Sequence, residues 1–399
     1  MIIRERYLRE IRPFYKQELI KVLIGIRRSG KSVILTQIMN ELQADGIDEK
    51  HIIYINFEDF DFDEYTDPKK LHTYVKNKII DKKKYYIFFD EIQNVNTWEK
   101  VVNSLRATKN TSIFITGSNS DLLSSDLATH IAGRYVSFKI TPFTFKEVCE
   151  LLNIVDKKDV EEEFSDYVKW GGLPQRFMQT DDMSKKTYLN DIYDSIIIKD
   201  VVQRFGVKNI DLLNRIATYL LTTPSQVFSP ESIKKYFEST SRGVSLETLY
   251  NYLDYFVRAN LISKADRYDI RGKRILTGKY KYYLTDLGFT HILSEGKKSQ
   301  IGAYLENIVY NELIARGYNV NIGSIDNGEI DFIATRFEEK IYIQVTYLLD
   351  DENVSEREFG AYKQIEDNYP KYVLSMDKFD FSQNGIIHKN IIDWLLEEK

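Results

Sequence analysis

Cysteine and histidine are scarce in this 399-residue sequence, which contains one cysteine, Cys149, and five histidines. A single cysteine excludes an internal disulfide and any metal site built from several thiolates. The histidines show neither H-E-x-x-H nor any comparable zinc-binding spacing. The sequence therefore predicts neither a disulfide-stabilised protein nor a zinc enzyme.

Long apolar runs and an excess of positive charge are also missing. No apolar run approaches the roughly 18 residues of a membrane helix, and residues 1–6 carry charges too early for a secretory signal. The net charge is −5, so any nucleic-acid surface must be a local patch. We expect a cytoplasmic protein without membrane contact, folded into about two to four globular domains.

The strongest positive signal is a glycine-rich segment that matches G-x-x-x-x-G-K-[ST] at every fixed position. It follows the apolar residues 22–24 and opens a predicted helix over residues 31–42. Backbone N–H groups in such a loop bind phosphate, so a nucleotide is expected at Gly25, Ile26, Arg27, Arg28, Ser29, Gly30, Lys31 and Ser32. Lys31 is expected to reach the β- and γ-phosphates of ATP, and Ser32 to ligate Mg²⁺. The side chains of Arg27 and Arg28 remain open to a partner, DNA or solvent.

Short apolar runs alternate with helical patterns between residues 19 and 141, which predicts a parallel sheet covered on both faces. The predicted strands are residues 21–24, 52–57, 85–89, 112–116 and 135–140. The third strand ends in Asp90 and Glu91. A carboxylate at this edge, beside the phosphate loop, suits the outer coordination of Mg²⁺, so Asp90 is the expected metal residue and Glu91 the residue that orients the attacking water. This acidic pair favours ATP hydrolysis over transfer of phosphate to a small substrate.

Two later positions are candidates for completing such a site. Asn119, and less so Ser118, follows the fourth strand and is a candidate sensor of the γ-phosphate, with a plain turn as the alternative. Arg134 is a candidate for stabilising transition-state charge, in cis or from a neighbouring subunit. A solvated arginine is the alternative for Arg134.

Six segments, in this order, resemble the large prokaryotic AAA+-type ATPase family whose C-terminal half has long been called a domain of unknown function. They are residues 25–32, Asp90-Glu91-Ile92-Gln93 with Trp98, residues 116–120, Gly133-Arg134, residues 142–147 and Gly171-Gly172-Leu173-Pro174. The last four single out this family, and the resemblance covers nearly the whole chain. The resemblance implies that the protein binds ATP and Mg²⁺ and hydrolyses the ATP. It also implies a strand inserted between the phosphate-loop strand and the Asp90 strand. It leaves a homo-oligomeric ring open and says little about the biological role.

After an ATPase domain over residues 1–144, the sequence predicts a helical lid over 145–225 and a winged helix over 226–295. The loop at residues 171–174 is interpreted as a structural turn, with a hinge as the alternative. The winged helix would include a hairpin of residues 261–268 and 279–284. Between Lys264 and Lys281 this wing has seven basic residues and two acidic ones. DNA contact through the wing remains open beside a solvated hairpin and a scaffold for a protein partner.

The last region, residues 296–399, resembles the PD-(D/E)-x-K nuclease fold. The matching positions are Glu306, Asp331, Gln344 and Thr346. Because Thr346 stands where the resemblance expects a lysine, we predict a nuclease-like fold without cleavage; Lys363 is a weak candidate for a replacement.

The predicted fold class is α/β: a P-loop NTPase parallel sheet with a helical lid, a winged helix and a C-terminal restriction-endonuclease-like domain. The predicted function is an ATP-hydrolysing switch, and action on or near DNA remains open. The alternatives are an ATP-regulated, Mg²⁺-dependent nuclease and a nucleotide-dependent scaffold for a protein partner.

Overall fold

The computed structural model describes residues 2–107, 110–118, 122, 133–225, 227–228, 233–235, 237, 244–293, 300–326 and 328–397, with backbone only at 227–228 and 277–279. The chain forms two compact units. The first consists of Met1–Thr141 and Arg258–Asn260, and the second of Pro142–Val257 and Leu261–Lys399. The predicted end of the ATPase domain at residue 144 lies close to this division.

The first unit contains a five-stranded parallel sheet. Its strands are β1 (Ile20–Ile24), β2 (Ile52–Asn56), β3 (Tyr85–Asp90), β4 (Thr111–Gly117) and β5 (Tyr135–Lys139). The spatial order is β2-β3-β4-β1-β5. Strand β4 therefore lies between β1 and β3, which confirms the inserted strand that the family resemblance implies. Every strand also agrees with its predicted range to within one residue at each end.

Helices cover both faces of this sheet. They are α1 (Glu5–Ile11), α2 (Lys31–Ala44), α3 (Pro68–Lys78) and α4 (Trp98–Ala107). Side chains alternate along a strand, so Val22 packs in the core formed with α3 and α4, and Leu23 in the core formed with α1 and α2. Strands β1, β3 and β4 are buried at every position, which explains why they read as largely apolar runs, whereas the edge strands β2 and β5 are only partly buried.

The second unit begins with helices, as the sequence predicts for residues 145–225. They are α5 (Phe145–Leu152), α6 (Lys157–Trp170), α7 (Asp182–Ser195), a π-helical segment (Ile196–Gln203) and α8 (Ile210–Leu221). Thr144 and Glu147 form a capping box that begins α5. Within the described parts of the chain, no helix combines the length and hydropathy needed to cross a bilayer.

The loop at residues 171–174 is fixed by a buried carboxylate. Asp286 Oδ2 accepts a hydrogen bond from Gly172 N at 2.8 Å, and Asp286 Oδ1 accepts one from Gly288 N at 2.8 Å. Gly171 has a φ of 73°, and a Cβ atom there would lie 1.7 Å from Asp286 Oδ1. Burial raises the pKa of Asp286 to about 6. These contacts support the interpretation of this loop as a structural turn.

The second unit also contains an eight-stranded sheet that crosses a predicted domain boundary. Its strands are β6 (Val227–Phe228), β7 (Ile262–Asp269), β8 (Arg274–Leu284), β9 (Asn319–Ile325), β10 (Gly328–Arg336), β11 (Glu339–Val345), β12 (Lys371–Ser375) and β13 (Ile387–Asn390). The order is β13-β12-β11-β10-β9-β7-β8-β6. The predicted hairpin is present as β7 and β8. However, β9 pairs in parallel with β7, so the predicted division at 295/296 does not correspond to a break in this sheet.

The described residues of this part of the chain also form α9 (Leu246–Arg258), α10 (Gly288–Leu293), α11 (Ile301–Ala315), α12 (Glu352–Gly360) and α13 (Ile391–Leu396). The end of α9 marks a return of the chain to the first unit, where Asn260 Nδ2 donates to Ser118 O at 3.2 Å.

Candidate active site

The glycine-rich segment connects β1 to α2, in the strand–loop–helix context that the sequence predicts. Gly25 has no room for a side chain, because a Cβ atom would lie 2.1 Å from Ile140 O. The end of β1 is therefore pressed against the end of β5, and this close approach holds the loop in place.

Lys31 and its neighbours present groups suited to phosphate. The Lys31 side chain is 3% exposed, and Nζ donates to Gly25 O at 3.1 Å and Ile26 O at 3.2 Å. Ser32 is exposed in the first turn of α2. Ser29 Oγ is buried and has no hydrogen-bond partner among the described residues. A buried hydroxyl without a partner fits a loop that receives phosphate oxygens.

The two loop arginines differ in their surroundings. Arg27 Nη1 donates to Glu58 Oε1 at 3.0 Å, whereas Arg28 is exposed. The sequence left the surroundings of both side chains open. In the structure, Arg27 pairs with an acidic residue of its own chain, and Arg28 faces solvent.

Asp90 ends β3 with its carboxylate held by two hydroxyl groups. Thr116 Oγ1, from the adjacent strand β4, donates to Asp90 Oδ1. Tyr54 OH, from β2, donates to Asp90 Oδ2 at 2.9 Å. Sequence reasoning missed both hydroxyls, although Thr116 ends the strand predicted to follow β3. The parallel register fixes the Asp90 carboxylate at the same sheet edge as the glycine loop.

Glu91 lies beside Lys31 and is anchored on both sides. Its Oε1 is 3.7 Å from Lys31 Nζ, its Oε2 accepts a hydrogen bond from Gln93 Nε2, and its backbone N–H donates to Thr116 Oγ1 at 2.9 Å. The predicted pair of Lys31 and Glu91 is thus brought together. Gln93, which the sequence shows only as part of a family pattern, directly orients the carboxylate.

Arg4 supports the glycine loop from the N-terminal segment. It is 2% exposed, and its Nη1 donates to Ser29 O and to Thr141 O, both at 3.0 Å. The Tyr7 hydroxyl also forms a hydrogen bond with Thr141 Oγ1, at 2.8 Å. Residues 1–18 read in the sequence only as a helical lead-in, so no local signal marked Arg4 as part of the site.

The structure bears on only one of the two predicted completing residues, Arg134. Asn119 lies outside the described residues. Arg134 immediately precedes β5. Its backbone O accepts a hydrogen bond from Ile20 N, and its Nη1 donates a hydrogen bond to Asn103 Oδ1 at 3.4 Å. Since β1 and β5 are parallel, Arg134 lies at the edge opposite the glycine loop, roughly 13 Å away along β1. The prediction that Arg134 acts at the nucleotide site of its own chain is therefore wrong.

Three of the four predicted nuclease-like positions come together in the second unit. Asp331 N donates to Gln344 Oε1 at 2.6 Å, and Lys281 Nζ lies 3.0 Å from Glu306 Oε1 and 3.9 Å from Asp331 Oδ1. Thr346 follows β11, and its N–H donates to Leu374 O. The cation near this cluster is Lys281 on strand β8, which is not among the positions that the nuclease resemblance identifies.

Lys363, the weak candidate for that cation, is exposed in the turn after α12. No group of three or more Asp, Glu, His or Cys side chains in the described residues is arranged to hold a metal ion.

Most of the positive charge of the hairpin is paired within the chain. The ion pairs are Lys264–Asp266, Arg267–Glu329, Arg271–Asp326, Arg274–Asp269 and Lys281–Glu306. Lys273 is exposed, and the side chain of Lys279 lies outside the described residues. The net positive charge counted along the sequence therefore overstates the charge available to DNA.

Comparison with known proteins identifies relatives over the whole chain. A family model for an AAA domain matches residues 17–149, which include all five strands of the first sheet, and a model for a domain of unknown function (DUF8612) matches residues 161–300. An uncharacterized protein of Haemophilus influenzae is 39% identical over 400 residues, covering 100% of this chain and 99% of its own length. Uncharacterized protein MJ1544 of Methanocaldococcus jannaschii is 34% identical over 362 residues, covering 86% of this chain and 78% of its own.

Among solved structures, partial similarity is found to the Walker-type ATPase PABY2304 of Pyrococcus abyssi. It has a TM-score of 0.45 and 16% identity, covering 73% of this chain and 96% of that one. AMPPCP-bound DnaA from Aquifex aeolicus has a TM-score of 0.30 and 16% identity, covering 64% of this chain and 88% of that one.

Proposed function

This chain carries an AAA domain and belongs to the family of these uncharacterized bacterial and archaeal proteins, and we propose that it binds ATP with Mg²⁺ and hydrolyses it to ADP and phosphate. The observation that carries the proposal is the 3.7 Å approach of Lys31 Nζ to the Glu91 carboxylate at the edge of the sheet where the glycine loop ends. This arrangement supports the proposal because Lys31 would serve as a phosphate-binding cation beside Glu91 as a base suited to orienting water.

Binding uses the glycine loop and the first turn of α2. Backbone N–H groups of residues 25–32 and the buried Ser29 hydroxyl would donate to the phosphates. Lys31 would exchange its bonds to the Gly25 and Ile26 carbonyls for bonds to phosphate oxygens. Ser32 and Asp90 are the residues that would hold Mg²⁺, which neutralises charge developing on the β- and γ-phosphate oxygens.

Hydrolysis depends on the orientation of Glu91. Its carboxylate would accept a hydrogen bond from the water that attacks the γ-phosphorus, while the bond from that phosphorus to the ADP oxygen breaks. Thr116 and Gln93 fix the backbone and the carboxylate of Glu91, so the base is oriented before the substrate arrives. Such prior orientation lowers the cost of reaching the transition state.

Finer parts of the proposal rest on the sequence. Asn119 remains the proposed γ-phosphate sensor. Arg134, which lies at the opposite edge of the sheet in its own chain, remains a candidate from a neighbouring subunit, which requires a homo-oligomer. We propose a switch role because the acidic pair favours hydrolysis and most of the chain lies outside the ATPase unit. The internal pairing of the hairpin cations weakens the case for DNA contact through β7 and β8.

The test is phosphate release and nucleotide affinity of the full chain with Mg²⁺. We expect Lys31→Ala to abolish tight nucleotide binding. Glu91→Gln should keep ATP affinity and lower turnover about 100-fold or more, because it removes the charge that orients water. Lys100→Ala, an exposed lysine on α4, is the matched control and should behave as the wild type. Unchanged turnover in Glu91→Gln would contradict the proposal.

A further inference from the structure

An acidic cluster lies in the second unit, among residues that are not assigned to ATP. It consists of Glu306 on α11, Glu329 and Asp331 on β10, and Glu358 on α12. All four line a cavity of about 570 Å³. Carboxylates gathered in this way are the ligand type that divalent cations prefer, so the contacts of each oxygen decide what the cluster binds.

Lys281 projects from β8 into the cluster. Its side chain is 4% exposed, and Nζ lies 2.6 Å from Glu329 Oε1, 3.0 Å from Glu306 Oε1 and 3.9 Å from Asp331 Oδ1. One ammonium group therefore contacts three carboxylates at hydrogen-bond or ion-pair distances. These are contacts that a metal ion would otherwise make.

Several carboxylates of the cluster also accept hydrogen bonds from other protein groups. Tyr283 OH donates to Glu306 Oε1 at 2.7 Å, and Val345 N donates to Asp331 Oδ2 at 2.8 Å. Gln344 uses its Oε1 to accept from Asp331 N and its Nε2 to donate to a Glu358 oxygen at 2.9 Å. A neutral side chain at a position that the nuclease resemblance assigns to a metal ligand is thus committed to protein groups.

The neighbouring carboxylates keep Lys281 protonated although its side chain is buried. Burial lowers the pKa of Lys281, but the charges of Glu306, Asp331 and Glu329 outweigh that effect and leave the pKa above its usual value. The lysine is therefore charged at neutral pH. An additional divalent cation among the same oxygens would lie close to this charge in a poorly solvated site, where like charges repel strongly.

We propose that Lys281 is the resident cation of this acidic cluster and closes it to divalent metal ions. The cluster then holds the hairpin strand β8 against α11 and β10 rather than supporting metal-dependent cleavage of nucleic acid. Lys281 does not take the part of a water-activating lysine beside a bound metal, because its ammonium bonds to the carboxylates themselves.

The test uses Mn²⁺ as the probe and the full chain without nucleotide, so it is independent of ATP hydrolysis. Mn²⁺ binding is measured by electron paramagnetic resonance and by the shift in melting temperature. The wild type and Asp331→Asn should bind Mn²⁺ equally. Lys281→Met removes the charge and keeps most of the length of the side chain. This variant should bind Mn²⁺ at least about tenfold more tightly than the wild type. Adding Asp331→Asn to Lys281→Met should abolish that gain.

Lys281→Arg is the charge-preserving control and should bind Mn²⁺ as weakly as the wild type. A wild-type Mn²⁺ site that Asp331→Asn removes would overturn the proposal, and so would Mn²⁺-dependent cleavage of plasmid DNA lost in Asp331→Asn. A folded Lys281→Met that gains no Mn²⁺ affinity would also overturn it. If Lys281→Met does not fold, the comparison of the wild type with Asp331→Asn decides the matter by itself.

Discussion

The Thr116 hydroxyl donates a hydrogen bond to the Asp90 carboxylate across two adjacent strands of the first sheet. The same oxygen accepts the backbone N–H of Glu91 at 2.9 Å. One buried side chain therefore fixes both the proposed metal residue and the backbone of the proposed base. This makes Thr116 a positioning residue for the proposed reaction.

Thr116→Val, which keeps the shape and removes the hydroxyl, should lower ATP turnover about 10- to 100-fold. It should also raise the Mg²⁺ concentration needed for half-maximal turnover, because Asp90 loses a fixed orientation. Thr116→Ser restores the hydroxyl and should recover most of the activity. Turnover and a Mg²⁺ titration on folded protein check this. A purely structural role would change stability without changing the Mg²⁺ requirement.

Arg4→Met should weaken nucleotide binding severalfold and lower the free energy of unfolding by about 1–3 kcal/mol. The reason is that the buried Ser29 and Thr141 carbonyls lose their charged donor. Nucleotide titration and urea denaturation measure the two effects. Arg9→Met changes an exposed arginine on α1, the helix that Arg4 precedes, and should alter neither quantity. Equal behaviour of the two variants would contradict the role of Arg4.

Lys21 should make the stability of the protein depend on alkaline pH. Burial lowers the pKa of Lys21 to about 7, with a smaller effect from Lys84, whereas the unfolded chain has a lysine pKa of about 10.4. Between these values the unfolded state binds the proton that the folded state has released. The free energy of unfolding should therefore rise by about 1–4 kcal/mol as the pH rises across this window. Below pH 7 Lys21 is charged in both states, and the full cost of burying its charge lowers the stability of the folded protein.

Lys21→Met should lack this rise and should be more stable than the wild type at pH 6. Urea denaturation of both proteins from pH 6 to pH 10 checks the difference, since other titrating groups act equally in each. Parallel curves for the two proteins would show that Lys21 stays charged when folded, through its 2.6 Å contact with Ser112 Oγ.

Gly171→Ala should destabilise the second unit by about 3 kcal/mol or more, because the added Cβ atom would lie 1.7 Å from Asp286 Oδ1. Gly46→Ala is the matched control: Gly46 also has a positive φ of 85°, but its Cβ atom would meet nothing within 4 Å. It should cost only about 1 kcal/mol of backbone strain. Similar melting temperatures for the two variants would mean that Asp286 moves aside.

The first sheet could be predicted because its central strands β3, β4 and β1 are buried on both faces and read as largely apolar runs. Lys31, Asp90 and Glu91 could be predicted because each follows directly from a local pattern at a strand end. The position of Arg134 was also implied by the sequence. A residue that starts a strand parallel to β1 must lie at the edge opposite the glycine loop.

Arg4, Tyr54 and Lys281 could not be found in this way. Each acts on groups distant in the sequence, and each lies in a segment whose local pattern shows only a helix or a strand. Arg4 reaches Thr141 across 137 positions, and Lys281 reaches Glu306 across 25. Such contacts depend on how strands pair, and the pairing of β7 with β9 has no local signature.

That pairing has a consequence for how the protein loses its structure. Strand β7 is bonded to β8 on one side and to β9 on the other, so neither neighbour can leave without exposing a row of backbone donors and acceptors. We therefore expect the hairpin and the C-terminal strands to melt in a single cooperative transition. A chain shortened at residue 295 would keep an unpaired β7 edge, open to aggregation.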